Sequence, residues 1–136
     1  MVVIKKKSEL HASGRRKMAI ARATLVPGKG LIRINSVLLE NFGNELARAR
    51  IMEPLILAGD IVKNINVNIN VYGGGINGQA DAIRLAIGKV LANYDKKLKN
   101  LFLAYDRQLL IADIRVKETR KPGDSKARAK RQKSYR

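Results

Sequence analysis

The stretch Lys63–Lys96, KNINVNINVYGGGINGQADAIRLAIGKVLANYDK, changes its hydrophobic period half-way. Ile65, Val67, Ile69 and Val71 alternate with Asn64, Asn66, Asn68 and Asn70, the period of two that a β-strand needs to bury one face and wet the other. After the glycines of Gly73–Gly78, Ile83, Ile87, Val90, Leu91 and Tyr94 fall on one helical stripe across Gln79–Lys96. A strand and a helix that are each apolar on one side fit a two-layer α+β domain, with helices covering one face of a sheet.

The same logic extends outward. Upstream, MAIARATLV at Met18–Val26 alternates, with Ala19, Ala21, Ala23 and Leu25 on one side and Arg22 and Thr24 on the other. The turn residues PGKG at Pro27–Gly30 lead into LIRIN, and the pair predicts an antiparallel hairpin. Glu45–Ala58 reads as a helix with Leu46, Met52, Leu55 and Ile56 available to a core, and Pro54 either kinks it or begins a second helix. Downstream, a helix around Leu98–Tyr105 would present Leu98, Leu101, Phe102 and Tyr105 on one side, and Leu109–Val116 reads equally as a strand or an extended segment. The expectation is a sheet of about four strands with helices on one face over residues 1–119, followed by an extended basic tail over residues 120–136.

Composition narrows the partners. The 136 residues and 46% hydrophobic content suit one domain plus an appendage. The formal net charge of +17 exceeds what solubility requires and draws polyanions, nucleic acid foremost. The tail carries eight basic residues and one acid, +7, which leaves 17 − 7 = +10 on the remainder, so the globular part is basic too. The absence of cysteine excludes a disulfide scaffold and thiolate metal sites. In MVVIKKKSEL the charges follow a very short apolar stretch, the reverse of a secretory signal, and no window approaches membrane-spanning length; an intracellular, soluble protein is expected.

GGGING at Gly73–Gly78 formally matches the dinucleotide fingerprint G-x-G-x-x-G between a strand and a helix. Against a cofactor, the preceding strand alternates where a buried parallel strand would be apolar throughout, the chain is too short for two mononucleotide-binding halves, and no Lys-Ser/Thr follows Gly78. Two compatible readings remain: a tight strand-to-helix turn, and a glycine turn offering backbone N–H groups to an RNA phosphate. The only histidine, His11, sits in a polar segment, and no carboxylate pair or His/Asp/Glu group has catalytic or metal-ligand spacing, so no enzyme and no cofactor are expected. In SGRRKMAIAR, the consecutive cations Arg15, Arg16 and Lys17 precede the strand and Arg22 projects from it, a cost in repulsion that phosphates would relieve. Arg48, Arg50, Arg84 and Lys89 read first as solvated helix faces.

In the tail, cations recur at Lys126, Arg128, Lys130, Arg131, Lys133 and Arg136, a spacing for threading between phosphates, with Tyr135 offered as a stacking plane. Fully extended, residues 120–136 would span on the order of 55–60 Å.

Three stretches then converge. GRRKMAIARATLVPGKGLIRIN (Gly14–Asn35), GGGINGQADAIRLAIGKVL (Gly73–Leu91) and QKSYR (Gln132–Arg136) resemble the family of the ninth small-subunit ribosomal protein, and AYDRQLLIADIRVKE with the QKSYR ending resembles its archaeal-type branch. The resemblance implies a ribosomal S five domain-two-like β-α sandwich and a structural role in the head of the small subunit, in the cytoplasm, beside neighbouring head proteins. It implies that Arg15, Arg16, Lys17, Arg22, Gly73, Gly74, Gly75, Gly78, Gln79 and Arg84 contact small-subunit rRNA. For the tail it implies rRNA contacts at Lys121, Lys126, Arg128, Lys130 and Arg131, and contacts of Lys133, Ser134, Tyr135 and Arg136 with the anticodon arm of P-site tRNA.

Overall fold

A computed structural model of the chain describes residues 9–135. Its elements are β1 (Leu10–Arg16), β2 (Ala19–Pro27), β3 (Ile32–Ile34), β4 (Val37–Leu38), α1 (Glu45–Ala58), β5 (Ile65–Tyr72), α2 (Ile76–Tyr94) and α3 (Lys96–Tyr105). Short 3₁₀ segments lie at Leu39–Asn41, Gly59–Asn64 and Arg107–Leu109. The five strands form one sheet in the order β1-β2-β5-β3-β4, antiparallel except at β3–β5, which is parallel. The α+β, two-layer expectation holds, with one strand more than the four foreseen.

The core forms where the periodicity placed it. Ile65, Val67, Ile69 and Val71 are buried together with Ala19, Ala21, Ala23 and Leu25 from β2, and α2 covers them with Ile83, Ile87, Val90 and Leu91. Small residues set the spacing between the layers. A Cβ on Gly14 of β1 would lie 2.1 Å from the Ala82 carbonyl oxygen of α2, so strand and helix backbones are in van der Waals contact there. Phe102 of α3 and Leu109 are fully buried, each burial favourable by about 1.5–3 kcal/mol, and they fasten the C-terminal end of the helical layer.

Several expectations are corrected. Leu10–Arg16 is a strand, paired with β2 from Leu10↔Leu25 to Arg16↔Ala19, where a polar approach to the first strand was expected. Its core-side positions are the half-buried Leu10 and Ala12 and the buried Gly14, a set with one large apolar residue and so too little hydrophobic alternation to announce a strand. The β2–β3 hairpin does not form, because β5 lies between the two strands and pairs with β2 over eight positions. The turn at Pro27–Gly30 instead crosses the end of β5: Gly28 and Gly30 N–H donate to the Asn64 and Ile65 carbonyls (3.0 and 2.9 Å), and the Asn66 side-chain oxygen accepts from Lys29 and Leu31 N–H (2.9 and 3.0 Å). On β3's far end the Asn35 carboxamide donates to Val71 O (3.0 Å) and accepts from Val71 N–H (2.9 Å), so a side chain extends the ladder.

In α1 the buried residues are Ala47, Ile51, Pro54, Leu55 and Ala58, whereas Leu46, Met52 and Ile56 are exposed; the helix passes through Pro54 as one element. Asn44 caps it by accepting from Ala47 N–H at 2.8 Å. Leu98 and Phe102 of α3 are buried but Leu101 and Tyr105 are not. After a turn in which Leu110 and Ile111 N–H donate to Arg107 O, the chain from Ala112 makes no strand pairing among the described residues, which decides against a strand at Leu109–Val116. Residues 1–8, most of the stretch read as unlike a secretory signal, lie outside the described residues.

Candidate nucleic-acid interface

Strand alternation sorts the cations by face. On β1, His11, Ser13 and Arg15 point away from the helices, while Arg16 points toward them. Arg15 is exposed and its Nε donates to Lys17 O at 3.3 Å. Lys17, also exposed, sits in the two-residue turn between paired Arg16 and Ala19 with φ 54°, in the left-handed region. Arg22 lies on the open face, its guanidinium 5.9 Å from the centroid of the Tyr72 ring.

The glycine turn stacks on that same end of the sheet. Gly73 and Gly74 have φ of 75° and 64°, and a Cβ on Gly73 would lie 2.5 Å from Met18 O, so the turn needs glycine both for conformation and for its approach to the β1–β2 turn. Nothing lies within 4 Å of a Cβ built on Gly75. Gly75 is the N-cap of the 19-residue α2 and supplies no side-chain cap, and the first turn of α2 has no acid. Gln79 Nε2 donates to Gly73 O at 3.1 Å, bracing the turn from inside the helix. Uncapped N–H groups and the positive end of the helix dipole thus open beside Lys17, an arrangement that takes an anion.

Not every expected contact residue faces outward. Arg16 Nη1 donates to Arg115 O (3.2 Å), and its guanidinium is 3.4 Å from Asp113 and 3.9 Å from Asp81, which also pairs with Arg50 at 3.3 Å. This network ties β1, α1 and α2 to the base of the C-terminal segment. The Arg115 side chain and backbone N–H, with Arg16 nearby, hold the Asp113 carboxyl well below the usual carboxylate range. Arg84 is likewise spent internally: Nε donates to Glu53 at 2.7 Å and Nη2 to Asp106 at 2.8 Å, joining α1, α2 and the residue after α3. Lys89 Nζ donates to Ser13 O at 3.1 Å.

The tail cations Lys121, Lys126, Arg128, Lys130, Arg131 and Lys133 are exposed, as are Ser134 and Tyr135; Arg136 lies outside the described residues. The tail is extended except for a bend over residues 122–128, where Gly123 has φ 76° and Arg128 pairs with Glu118. Its reach is therefore shorter than the full extension of the sequence. On the open sheet face the strand order adds residues that the sequence did not single out. Arg33 is paired across from Asn68, and Asn70 across from Arg22. The Asn alternation carried the signal for a polar face, but which strands flank it is a matter of topology.

Comparison with known proteins bears on this assembly of cations. A sequence model of the family described as ribosomal protein S9/S16 matches residues 14–136. The chain belongs to that family. Relatives named small ribosomal subunit protein uS9 include those of Thermoplasma volcanium, 48% identical over 91% of this chain and 96% of its own length, and Methanothrix thermoacetophila, 48% identical over 93% and 98%. The protein of that name from Methanococcus maripaludis is 50% identical over 93% and 98%. All three are archaeal, in keeping with the archaeal-type branch indicated by the sequence, and the S9/S16 match takes in β1 from Gly14, the glycine turn and the tail.

Proposed function

We propose that this S9/S16-family chain binds small-subunit rRNA through the end of the sheet where Arg15, Lys17 and the Gly73–Gly75 turn meet the N-terminus of α2, and that residues 120–136 reach the anticodon arm of P-site tRNA. The coarser role follows from membership: a structural, non-enzymatic component of the small subunit of the cytoplasmic ribosome. The observation carrying the finer reading is that exposed cations without an acidic partner among the described residues and uncapped helix N–H groups converge at one place, where Arg15 makes only a hydrogen bond to the Lys17 carbonyl. Phosphates supply the missing charge. Arg22, Arg33 and the Asn68–Asn70 face extend the same surface, while Gly78 lies behind it, where a Cβ would meet Arg16 O and Ala19 Cβ. Arg16 and Arg84 position it from behind, through the internal ion pairs they make. Residues 1–119 act as the anchor and residues 120–136 as the arm, with Lys121, Lys126, Arg128, Lys130 and Arg131 on rRNA and Lys133, Ser134, Tyr135 and Arg136 at the tRNA; the exposed Arg128–Glu118 pair is of a kind that phosphate can displace.

The test is a photo-crosslinking side chain at position 135 in assembled small subunits, with and without P-site tRNA. Capture of the tRNA anticodon arm is expected. Capture of rRNA alone, unchanged by tRNA, would refute the arm's role and leave the rRNA reading standing.

A further inference from the structure

Helix α1 is apolar on two sides. Ala47, Ile51, Leu55 and Ala58 face the core, while Ala49, Met52 and Ile56 follow Glu45 at helical spacing on the outer side, with Met52 44% and Ile56 69% exposed. A helix apolar around most of its circumference belongs in an interior, yet this chain covers only half of it. Between α1 and the β3–β4 edge runs a groove of about 640 Å³, lined by Leu31 and Leu38 (43% and 40% exposed) on one side, Ala49 and Met52 on the other, and by Glu40 and Glu45.

Charge tells what covers it. Among the described residues, Glu9, Glu40 and Glu45 are the carboxylates with neither an ion pair nor a hydrogen-bond partner, although the chain carries +17. Two of these three line this one groove. Arg48, the cation beside them, is turned to the Phe42 and Gly43 carbonyls (3.3 and 3.1 Å). Two free carboxylates over an apolar floor repel phosphate and attract cations.

We propose that the groove between α1 and the β3–β4 edge is a protein-docking site, whose occupant is an extended segment of another polypeptide carrying apolar side chains next to lysine or arginine. The apolar side chains fill the floor over Met52 and Leu38, and the cations meet Glu40 and Glu45. The molecule is thereby divided, with one end for RNA and this flank for a basic protein segment. The inference rests on incorporation into a ribonucleoprotein particle, in which such segments are at hand.

Benzoylphenylalanine at position 52 of the full chain, in assembled small subunits, reads the occupant directly. The expected capture maps to a polypeptide segment with apolar and basic residues within a few positions of each other. Glu40→Lys/Glu45→Lys should lower the yield roughly fivefold, Glu40→Gln/Glu45→Gln less, and Glu9→Lys not at all. Capture of rRNA or of a second copy of this chain, or a yield indifferent to the charge reversals, would overturn the proposal. Co-sedimentation with the small subunit, measured on the same samples, separates the failures: a chain that enters the subunit but captures RNA at position 52 sinks only the groove, whereas one that never enters sinks the ribosomal reading and this inference with it.

Discussion

Arg15, Lys17 and Arg22 carry charges that no acid among the described residues neutralises, and Arg16 and Arg84 carry charges that are engaged by internal ion pairs. The two sets should therefore separate in a salt titration of rRNA binding. Each phosphate contact contributes about 0.7 to 0.9 to the slope of log affinity against log salt, so Arg15→Gln/Lys17→Gln/Arg22→Gln should flatten the slope by about 2.1 to 2.7. Between 50 and 200 mM salt the parent would then lose about 15- to 40-fold more affinity than the triple variant. Its melting temperature should stay put, because all three side chains are exposed. Arg84→Gln should do the reverse. It strips the shared cation from Glu53 and Asp106, and because both carboxylates remain one-third exposed and can rehydrate, the cost is about 2 kcal/mol, below that for a sealed pair, or roughly 5–10 °C of melting temperature. Its slope should be unchanged. Filter binding to a small-subunit rRNA fragment over a salt series, with calorimetric melting of the same proteins, reads both quantities. A flattened slope for Arg84→Gln with an unaltered melting temperature would refute the sorting of cations by face.

Three further outcomes follow from particular contacts. Gly14→Ala drives a methyl to 2.1 Å from Ala82 O, so α2 must shift against β1 at a cost of about 1–3 kcal/mol or more, seen as a lower urea midpoint. Burial disfavours the ionised Asp106 carboxyl, but the Gln108 N–H and the Arg84 guanidinium outweigh it and hold its pKa below the ordinary 3.8; the stability it adds is present above that value and is lost as pH falls through the folded pKa, so Asp106→Asn should lower stability at neutral pH and flatten the acid limb of a melting-versus-pH curve. Asn35→Ala removes both hydrogen bonds to Val71 and leaves its backbone N–H and C=O without them, which should cost about 1–3 kcal/mol in thermal unfolding, whereas retained stability would mean that the ladder ends at Ile69.

Much of the fold was legible because its largest elements state their period openly. The Asn/Ile alternation of β5, the Ala face of β2 and the stripe of α2 each needed one partner layer, and the core is built from them. What escaped was set by backbone groups and by topology. β1 buries Gly14, which allows close approach to α2, and half-buries Ala12, and neither offers much hydrophobic area, so periodicity had little to register. The false hairpin at Pro27–Gly30 had the right turn residues, but the eight-position pairing of β2 with β5 outweighs the three residues that β3 offers. α1 misled for a different reason. With apolar residues on two sides, the sequence cannot say which side is the core, and Met52 and Ile56 were assigned to the wrong one.

The candidate site shows the same limit at the scale of adjacent residues. Arg15 and Arg16 are chemically alike and neighbours in the chain, and a run of three cations reads as one patch. Once Leu10–Arg16 is a strand, period two sends them to opposite faces. Arg15 meets solvent, while Arg16 meets Asp81 and Asp113 and ties down the Arg115 backbone, fixing where the C-terminal segment leaves the domain. A cation's availability to phosphate is thus decided by whether an internal acid reaches it first. In a chain with 28 basic residues against 11 acidic ones, most cations stay free whatever the fold. Among those that are consumed, Arg16 and Arg84 hold the surface and the base of the arm in register, so losing Arg16 should disturb RNA binding through the direction of the tail while leaving the salt slope of the Lys17 site intact.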